Sequence, residues 1–245
     1  MDNVKTRRAA VSSGRPEAWH AKASESWRTA RERRLKLSEL FVSVQGESSW
    51  AGLPTVFVRL TGCALRCRWC DSAFAFHGGR WKALAAIDQE VGDTGIPRVC
   101  ITGGEPLLQP SVVPLMRRLR DRGLAVSVET GGDQDVSVVP EGVKRVVDVK
   151  LPGSGMAERM DPGNLGRLGA EDEVKLIVAD RGDYEAAREL VRGRLAGFPG
   201  EILVGAVHGE LEAGRLAEWT LADRLPVRLQ VQLHKILWPG RERGI

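Results

Sequence analysis

The chain has 245 residues, 42% of them apolar, which suits one α/β domain of barrel size or two small ones. It holds no apolar run of the ~18 residues needed to cross a bilayer, and no apolar stretch of secretory type opens it, so the expectation is a cytoplasmic protein away from membranes. The net charge of +4 is uneven: residues 1–36 carry ten Lys/Arg against four Asp/Glu, a net +6, which leaves −2 for the remainder and argues against a nucleic-acid-binding domain. Those first 36 residues are polar and broken by Ser13-Gly14-Arg15-Pro16. They read as a disordered extension before a core domain of residues 37–245.

From Leu37 the pattern turns to strand and helix. Leu40 to Val44 and Thr55 to Leu60 read as strands, and the second runs into a cysteine-bearing loop. Lys82 to Val91 has helical spacing, and Arg98 to Thr102 is a strand followed at once by Gly103-Gly104-Glu105-Pro106. Val112 to Arg122 is an amphipathic helix stopped by Gly123, and Ala125 to Glu129 is a strand ending in Thr130-Gly131-Gly132. Strands at 145–149, 173–178, 201–207 and 227–231 and helices at 183–191 and 212–221 complete the chain. This alternation predicts a mainly parallel α/β sheet. Polar and glycine-rich segments recur after strands (61–72, 102–106, 129–132, 148–150, 205–209), at the end where such sheets carry their sites.

Three of the four cysteines, Cys63, Cys67 and Cys70, are spaced C-x3-C-x2-C. Three thiolates hold three corners of a four-iron cluster and leave one iron open, which marks a site that does chemistry. A zinc site completed by Cys100 is the rival reading, although Cys100 sits mid-strand between Val99 and Ile101, where a small apolar residue belongs. Trp69 either packs over the metal site or serves ordinary loop packing. The Gly103-Gly104 turn permits close backbone approach by a ligand, and the Glu105 carboxylate can grip an amine.

With these two motifs the chain resembles the radical S-adenosylmethionine (SAM) superfamily. Five further segments are similar to its 7-carboxy-7-deazaguanine synthase family: Val44-Gln45-Gly46-Glu47, Phe57-Val58-Arg59, Cys70-Asp71-Ser72-Ala73-Phe74, Val128-Glu129-Thr130-Gly131 and Gln230-Val231-Gln232-Leu233-His234-Lys235. The resemblance covers about residues 37–240. It implies an incomplete, six-strand β/α barrel of TIM type, a [4Fe–4S] cluster on Cys63, Cys67 and Cys70, and SAM on the open iron. The implied reaction is the Mg2+-dependent ring contraction of 6-carboxy-5,6,7,8-tetrahydropterin to 7-carboxy-7-deazaguanine with loss of ammonia. A flavodoxin- or ferredoxin-type electron donor and a homodimer come with it.

The resemblance further implies that Val44, Gln45, Gly46, Thr102 and Pro239 contact the pterin. Glu47 and Arg59 are the candidate catalytic residues, Arg59 facing the substrate carboxylate with a guanidinium fork. Ser72 falls at the Mg2+ position. Gly104, Glu105, Asp148, Val149, Lys150 and Lys175 fall at SAM positions, and Val204 to His208 at a late cofactor loop. For Lys175 a solvated strand-end charge is the alternative, and for His234 the choice lies between a proton carrier and a structural hydrogen bond. Two other functions share the cluster motif: a radical SAM activase acting on a partner protein's glycine, and a non-enzymatic metal-binding module.

Overall fold

The computed structural model describes residues 33–245, so the extension expected over residues 1–36 lies outside it except at its end. That end is strand. Arg34-Leu35-Lys36-Leu37 alternates polar and apolar residues, the strand period, and β1 (Arg34–Val44) begins there with Leu35 fully buried. β1 pairs antiparallel with β2 (Pro54–Leu60), which sets Glu39 opposite Arg59. Its other edge takes β3 (Arg80–Ala83). Lys82 and Ala83, which read in sequence as the start of a helix, are drawn with Arg80 and Trp81 into the sheet by pairing with Arg34–Leu37, and α1 (Leu84–Asp93) starts only after them.

From β2 onward every pairing is parallel, through β4 (Arg98–Gly103), β5 (Ala125–Thr130), β6 (Val143–Val149), β7 (Glu173–Val178), β8 (Glu201–Ala206) and β9 (Arg228–Gln230). The result is one open sheet in the order β3-β1-β2-β4-β5-β6-β7-β8-β9. It has seven parallel strands where six were expected, although β9 adds only three residues. Helices α2 (Val112–Asp121), α3 (Arg181–Arg192) and α4 (Ala213–Asp223) lie in the connections, whereas β5 to β6 and β6 to β7 are joined by short 3-10 turns.

The outer face of the sheet is apolar. α2 presents Val112, Leu115, Met116 and Leu119, a helical i, i+3, i+4, i+7 stripe, to a cluster that includes Val99, Ile101, Val126 and Val128. Tyr184, Ala187 and Val191 of α3 and Leu216 of α4 cluster with Val174, Leu176 and Val178. Asp180 starts α3 by accepting the Asp183 N–H at 2.9 Å, the usual way to satisfy an orphan donor of the first turn. Strand side chains alternate faces, so the residues between these, such as Glu129 on β5 and Glu173 and Lys175 on β7, point inward.

The polar interior is filled from below by the β1–β2 loop. Gln45 Nε2 donates to Glu129 Oε1 (3.1 Å), and the Ser48 N–H donates to Gln230 Oε1 (3.0 Å). The fully buried Glu173 carboxylate accepts from the Ser49 N–H and hydroxyl and from Lys144 Nζ (2.8 Å). A short helix α5 (Leu233–Leu237) follows β9, and its Leu233 N–H reaches the Gly46 carbonyl at 3.0 Å. The β9 end of the sheet thus meets the β1–β2 loop across the interior, which is how an open sheet builds a barrel-like cavity. No helix among the described residues is long and apolar enough to cross a membrane.

Candidate active site

The segments after β2, β4, β5, β6 and β8 open into one cavity of about 520 Å³. Cys63, Cys67 and Cys70 all line it on the loop after β2. They are free, half-buried thiols, and burial pushes those of Cys63 and Cys67 up. Among the described residues no three His, Cys, Asp or Glu side chains close on one point as ligands of a single ion. A four-iron cluster asks for a wider set, one thiolate per iron, with backbone free to come close. The turn after β4 fits that demand. Gly103 has φ +147°, and a Cβ at Gly104 would overlap the Gly62 carbonyl and press on Cys63, so only glycines let this turn abut the cysteine loop. The donor set and this close approach fit a cluster with a small cofactor beside it.

Glu105 differs from its expected place. Its side chain does not line the cavity. The carboxylate is fully buried and accepts from the Leu107 N–H (2.9 Å), the Thr130 hydroxyl (2.9 Å) and the Gly131 N–H (2.7 Å). Burial pushes it up to about 7, against the pull of these donors. It locks the turn after β4 to the end of β5, and the backbone of Gly103 and Gly104 is what faces the cavity. Val149 also lies off the cavity, because the strand alternation that turns Asp148 and Lys150 inward turns Val149 onto the outer apolar cluster.

A chain of ion pairs crosses the cavity floor. Lys175 Nζ lies 2.6 Å from Glu47 Oε2 and 3.4 Å from Asp148 Oδ2, and Lys150 Nζ lies 3.0 Å from Asp148 Oδ1. Lys175 is only 8% exposed, so it is not a solvated strand-end charge. Burial disfavours its ammonium, but Glu47, Asp148 and Glu129 outweigh that and hold it charged, well above the ordinary lysine value. Burial likewise works against the Glu47 carboxylate, and the Lys175 charge overrides it, leaving Glu47 below its ordinary value. Gln232 Nε2 donates to Glu47 Oε1 at 2.8 Å and to Asp71 at 3.2 Å. Glu129 is the counterweight: burial raises it, Lys175 only partly opposing, beside Gln45, Cys100 and Thr102.

Val44, Gln45, Gly46, Glu47, Arg59, Thr102 and Ser72 line this same cavity. A Cβ at Gly46 would overlap the His234 ring, so the absence of a side chain there is what lets α5 close on the β1–β2 loop. His234 itself is held below its usual value by burial. Arg59 donates its Nε–H to Glu39 Oε1 at 2.8 Å. Cys100 is fully buried, turned to the inner face beside Glu129, and burial drives its thiol well above the ordinary range. Pro239 is exposed and off the cavity, because the chain turns after α5 and brings Arg241, Glu242 and Ile245 to the wall instead. Gln232 falls in the pocket that the resemblance implies, whereas Glu129 and these last residues are not singled out as site residues in the sequence. A carboxylate closing a strand before Thr130-Gly131-Gly132 was a usable signal for Glu129, but the tail carries no periodic pattern.

The sequence profile of the Radical SAM superfamily matches residues 57–153. The 7-carboxy-7-deazaguanine synthase of Koribacter versatilis is 40% identical over 228 residues, spanning 86% of this chain and 100% of that protein. That of Chlorobaculum tepidum is 42% identical over 219 residues, spanning 87% and 99%. The crystal structure of QueE from Escherichia coli superposes with a TM-score of 0.69 at 26% identity, over 82% of this chain and 95% of that one. With a cysteine loop, a glycine turn and a polar pocket on one cavity, and relatives this similar over nearly their whole length, the chain belongs to the 7-carboxy-7-deazaguanine synthase family of radical SAM enzymes.

Proposed function

We propose that this protein converts 6-carboxy-5,6,7,8-tetrahydropterin to 7-carboxy-7-deazaguanine with loss of ammonia. The observation that carries the reading is the junction of two chemistries in one cavity: three thiols on the loop after β2, and the hydrogen-bonding floor of Gln45, Glu47 and Glu129 with Arg59 at its wall. A protein-glycine activase has no use for the second, and the similarity to named synthases leaves that alternative without support.

Cys63, Cys67 and Cys70 would hold a [4Fe–4S] cluster, and the Gly103–Gly104 backbone, Asp148, Lys150 and the segment Ala206 to His208 would cradle SAM. The chemistry these groups supply when bound is reductive release of a 5′-deoxyadenosyl radical that takes a hydrogen atom from the substrate. The chain's own residues do the rest. Arg59 receives the substrate carboxylate on its guanidinium fork. Val44, Gln45, Gly46 and Thr102 frame the ring. Glu47, kept ionised by Lys175, accepts hydrogen bonds from the pterin's amino and ring N–H groups. Lys175 joins the two halves by pairing with Glu47 and Asp148 at once. Ser72 offers a hydroxyl for Mg2+, a hard cation that prefers oxygen, alongside the substrate carboxylate. Trp69, Phe74 and Phe76 line the same cavity and offer the apolar surface that would keep water from the reacting atoms.

The electron must come from outside the chain, and a flavodoxin- or ferredoxin-type donor in the cytoplasm suits a one-electron step. A homodimer is part of the proposal, supported by the exposed Leu229, Val231, Ile236 and Leu237 at the β9 edge. Equilibrium binding of 6-carboxy-5,6,7,8-tetrahydropterin to the anaerobically reconstituted protein with SAM tests the substrate. Saturable binding that weakens in Arg59→Met is expected, and no binding rejects the reading.

A further inference from the structure

Arg59 is held more tightly than a cavity-wall arginine needs to be. Glu39 lies opposite it across the β1–β2 pair, and Glu39 Oε1 takes the Arg59 Nε–H at 2.8 Å. Both side chains are mostly buried, at 17% and 16% exposure. The guanidinium carbon is 5.7 Å from the Phe41 ring centre and 5.8 Å from that of Phe74. Phe41 is backed by Phe57, stacked at 5.0 Å and 8°, and the Arg243 guanidinium lies 4.3 Å from the Phe74 ring centre. Rings from β1 and from the cysteine loop thus restrain the plane of the group.

An arginine presents one N–H on Nε and four on its two Nη atoms. A planar carboxylate can dock side-on, using Nε and one Nη, or end-on, using both Nη atoms. Glu39 occupies the side-on edge at Nε, so a ligand in the cavity meets the end-on fork. The pair is also neutral before any ligand arrives, so an incoming anion is chosen by fit to the fork more than by net charge.

We propose that Glu39 is a positioning residue that fixes the end-on presentation of Arg59 and thereby sets the preference of the cavity for a carboxylated heterocycle. This rests on the reading of Arg59 as the carboxylate receptor. Without the acceptor at Nε the guanidinium is free to slide to side-on docking, which moves a bound carboxylate relative to the floor residues.

The test compares binding of 6-carboxy-5,6,7,8-tetrahydropterin and of 5,6,7,8-tetrahydropterin, which lacks the carboxylate, to reconstituted enzyme with SAM. Glu39→Ala is expected to weaken the carboxylated ligand about tenfold, the scale of one charge-assisted hydrogen bond, and to leave the other ligand unchanged. In turnover, KM should rise with kcat within about threefold, as for loss of binding shared by ground and transition states. Glu39→Gln, whose amide oxygen still accepts the Nε–H, should stay near wild type. Glu39→Asp, which keeps the charge but withdraws the acceptor, should behave like Ala and covers the case in which Ala fails to fold. A wild-type protein that binds both pterins alike overturns the Arg59 reading and this one with it. A wild-type preference that survives Glu39→Ala and Glu39→Asp, or equal weakening of both ligands, overturns the role of Glu39 alone.

Discussion

Replacing Lys175 by methionine removes the one cation shared by Glu47 and Asp148 while keeping most of the side-chain volume. At an effective dielectric of about 20, the Coulomb attraction is about 6 kcal/mol at the 2.6 Å contact with Glu47 and about 5 kcal/mol at the 3.4 Å contact with Asp148. Desolvation of three nearly buried charges cancels much of that gross figure. The cost of deleting one partner of such a buried pair is about 3–5 kcal/mol, because a carboxylate is left buried without its cation. The pH dependence has a definite sign. In the wild type the lysine holds Glu47 below its ordinary value in spite of burial. In Lys175→Met only the Gln232 hydrogen bond still opposes burial, which lifts Glu47 above that value. A carboxyl raised in the folded state takes stability away as pH climbs through the window from its unfolded to its folded pKa. The loss should therefore be largest near pH 8 and shrink below pH 5. Urea unfolding of wild type and variant at pH 5 and pH 8 measures it. A loss under about 1 kcal/mol that is the same at both pH values would show that Lys175 does not hold Glu47 ionised and that the pair adds little to stability.

Glu105→Gln keeps one acceptor but turns an amide NH2 toward fixed donors, the Gly131 or Leu107 N–H, and should cost about 1–3 kcal/mol in thermal or urea unfolding. With Glu105 pushed up to about 7 from 4.5 by burial, wild-type stability contributed by this group is full below pH 4.5 and falls by about 3 kcal/mol as pH rises to about 7; Glu105→Gln should flatten that part of the pH profile. Gly46→Ala forces a methyl into the His234 ring, so pterin affinity should drop at least tenfold while stability falls by about 1–3 kcal/mol, the usual cost of overpacking. Cys67→Ala should lose the iron–sulfur absorbance on reconstitution and all turnover, and retained activity would contradict the cluster assignment.

The alternation of strand and helix was legible from residue 98 onward because the strands are short apolar or alternating runs, as in Glu173-Val174-Lys175-Leu176, with the outward residues meeting amphipathic helices. The ends were less so. Arg34-Leu35-Lys36 looked like charged tail because two of three residues are basic, and only the pairing with β3 shows Leu35 as core. In the site, residue types at the cavity were readable where a motif fixes the backbone, as at the cysteines and at Gly104. Side-chain direction was not readable: Glu105 follows the glycine turn yet points into the protein, because Leu107, Thr130 and Gly131 offer it donors there. Lys175 was ambiguous in sequence because its partners, Glu47 and Asp148, lie 128 and 27 residues away and meet it only in three dimensions.

The most direct measurement is anaerobic turnover of the reconstituted protein with reductant, SAM, Mg2+ and 6-carboxy-5,6,7,8-tetrahydropterin, followed by mass analysis of the products. The expected products are 7-carboxy-7-deazaguanine and 5′-deoxyadenosine together, with neither formed by Cys67→Ala. Formation of 5′-deoxyadenosine with no 7-carboxy-7-deazaguanine would contradict the proposed function, leaving a radical SAM enzyme whose cavity serves a different substrate.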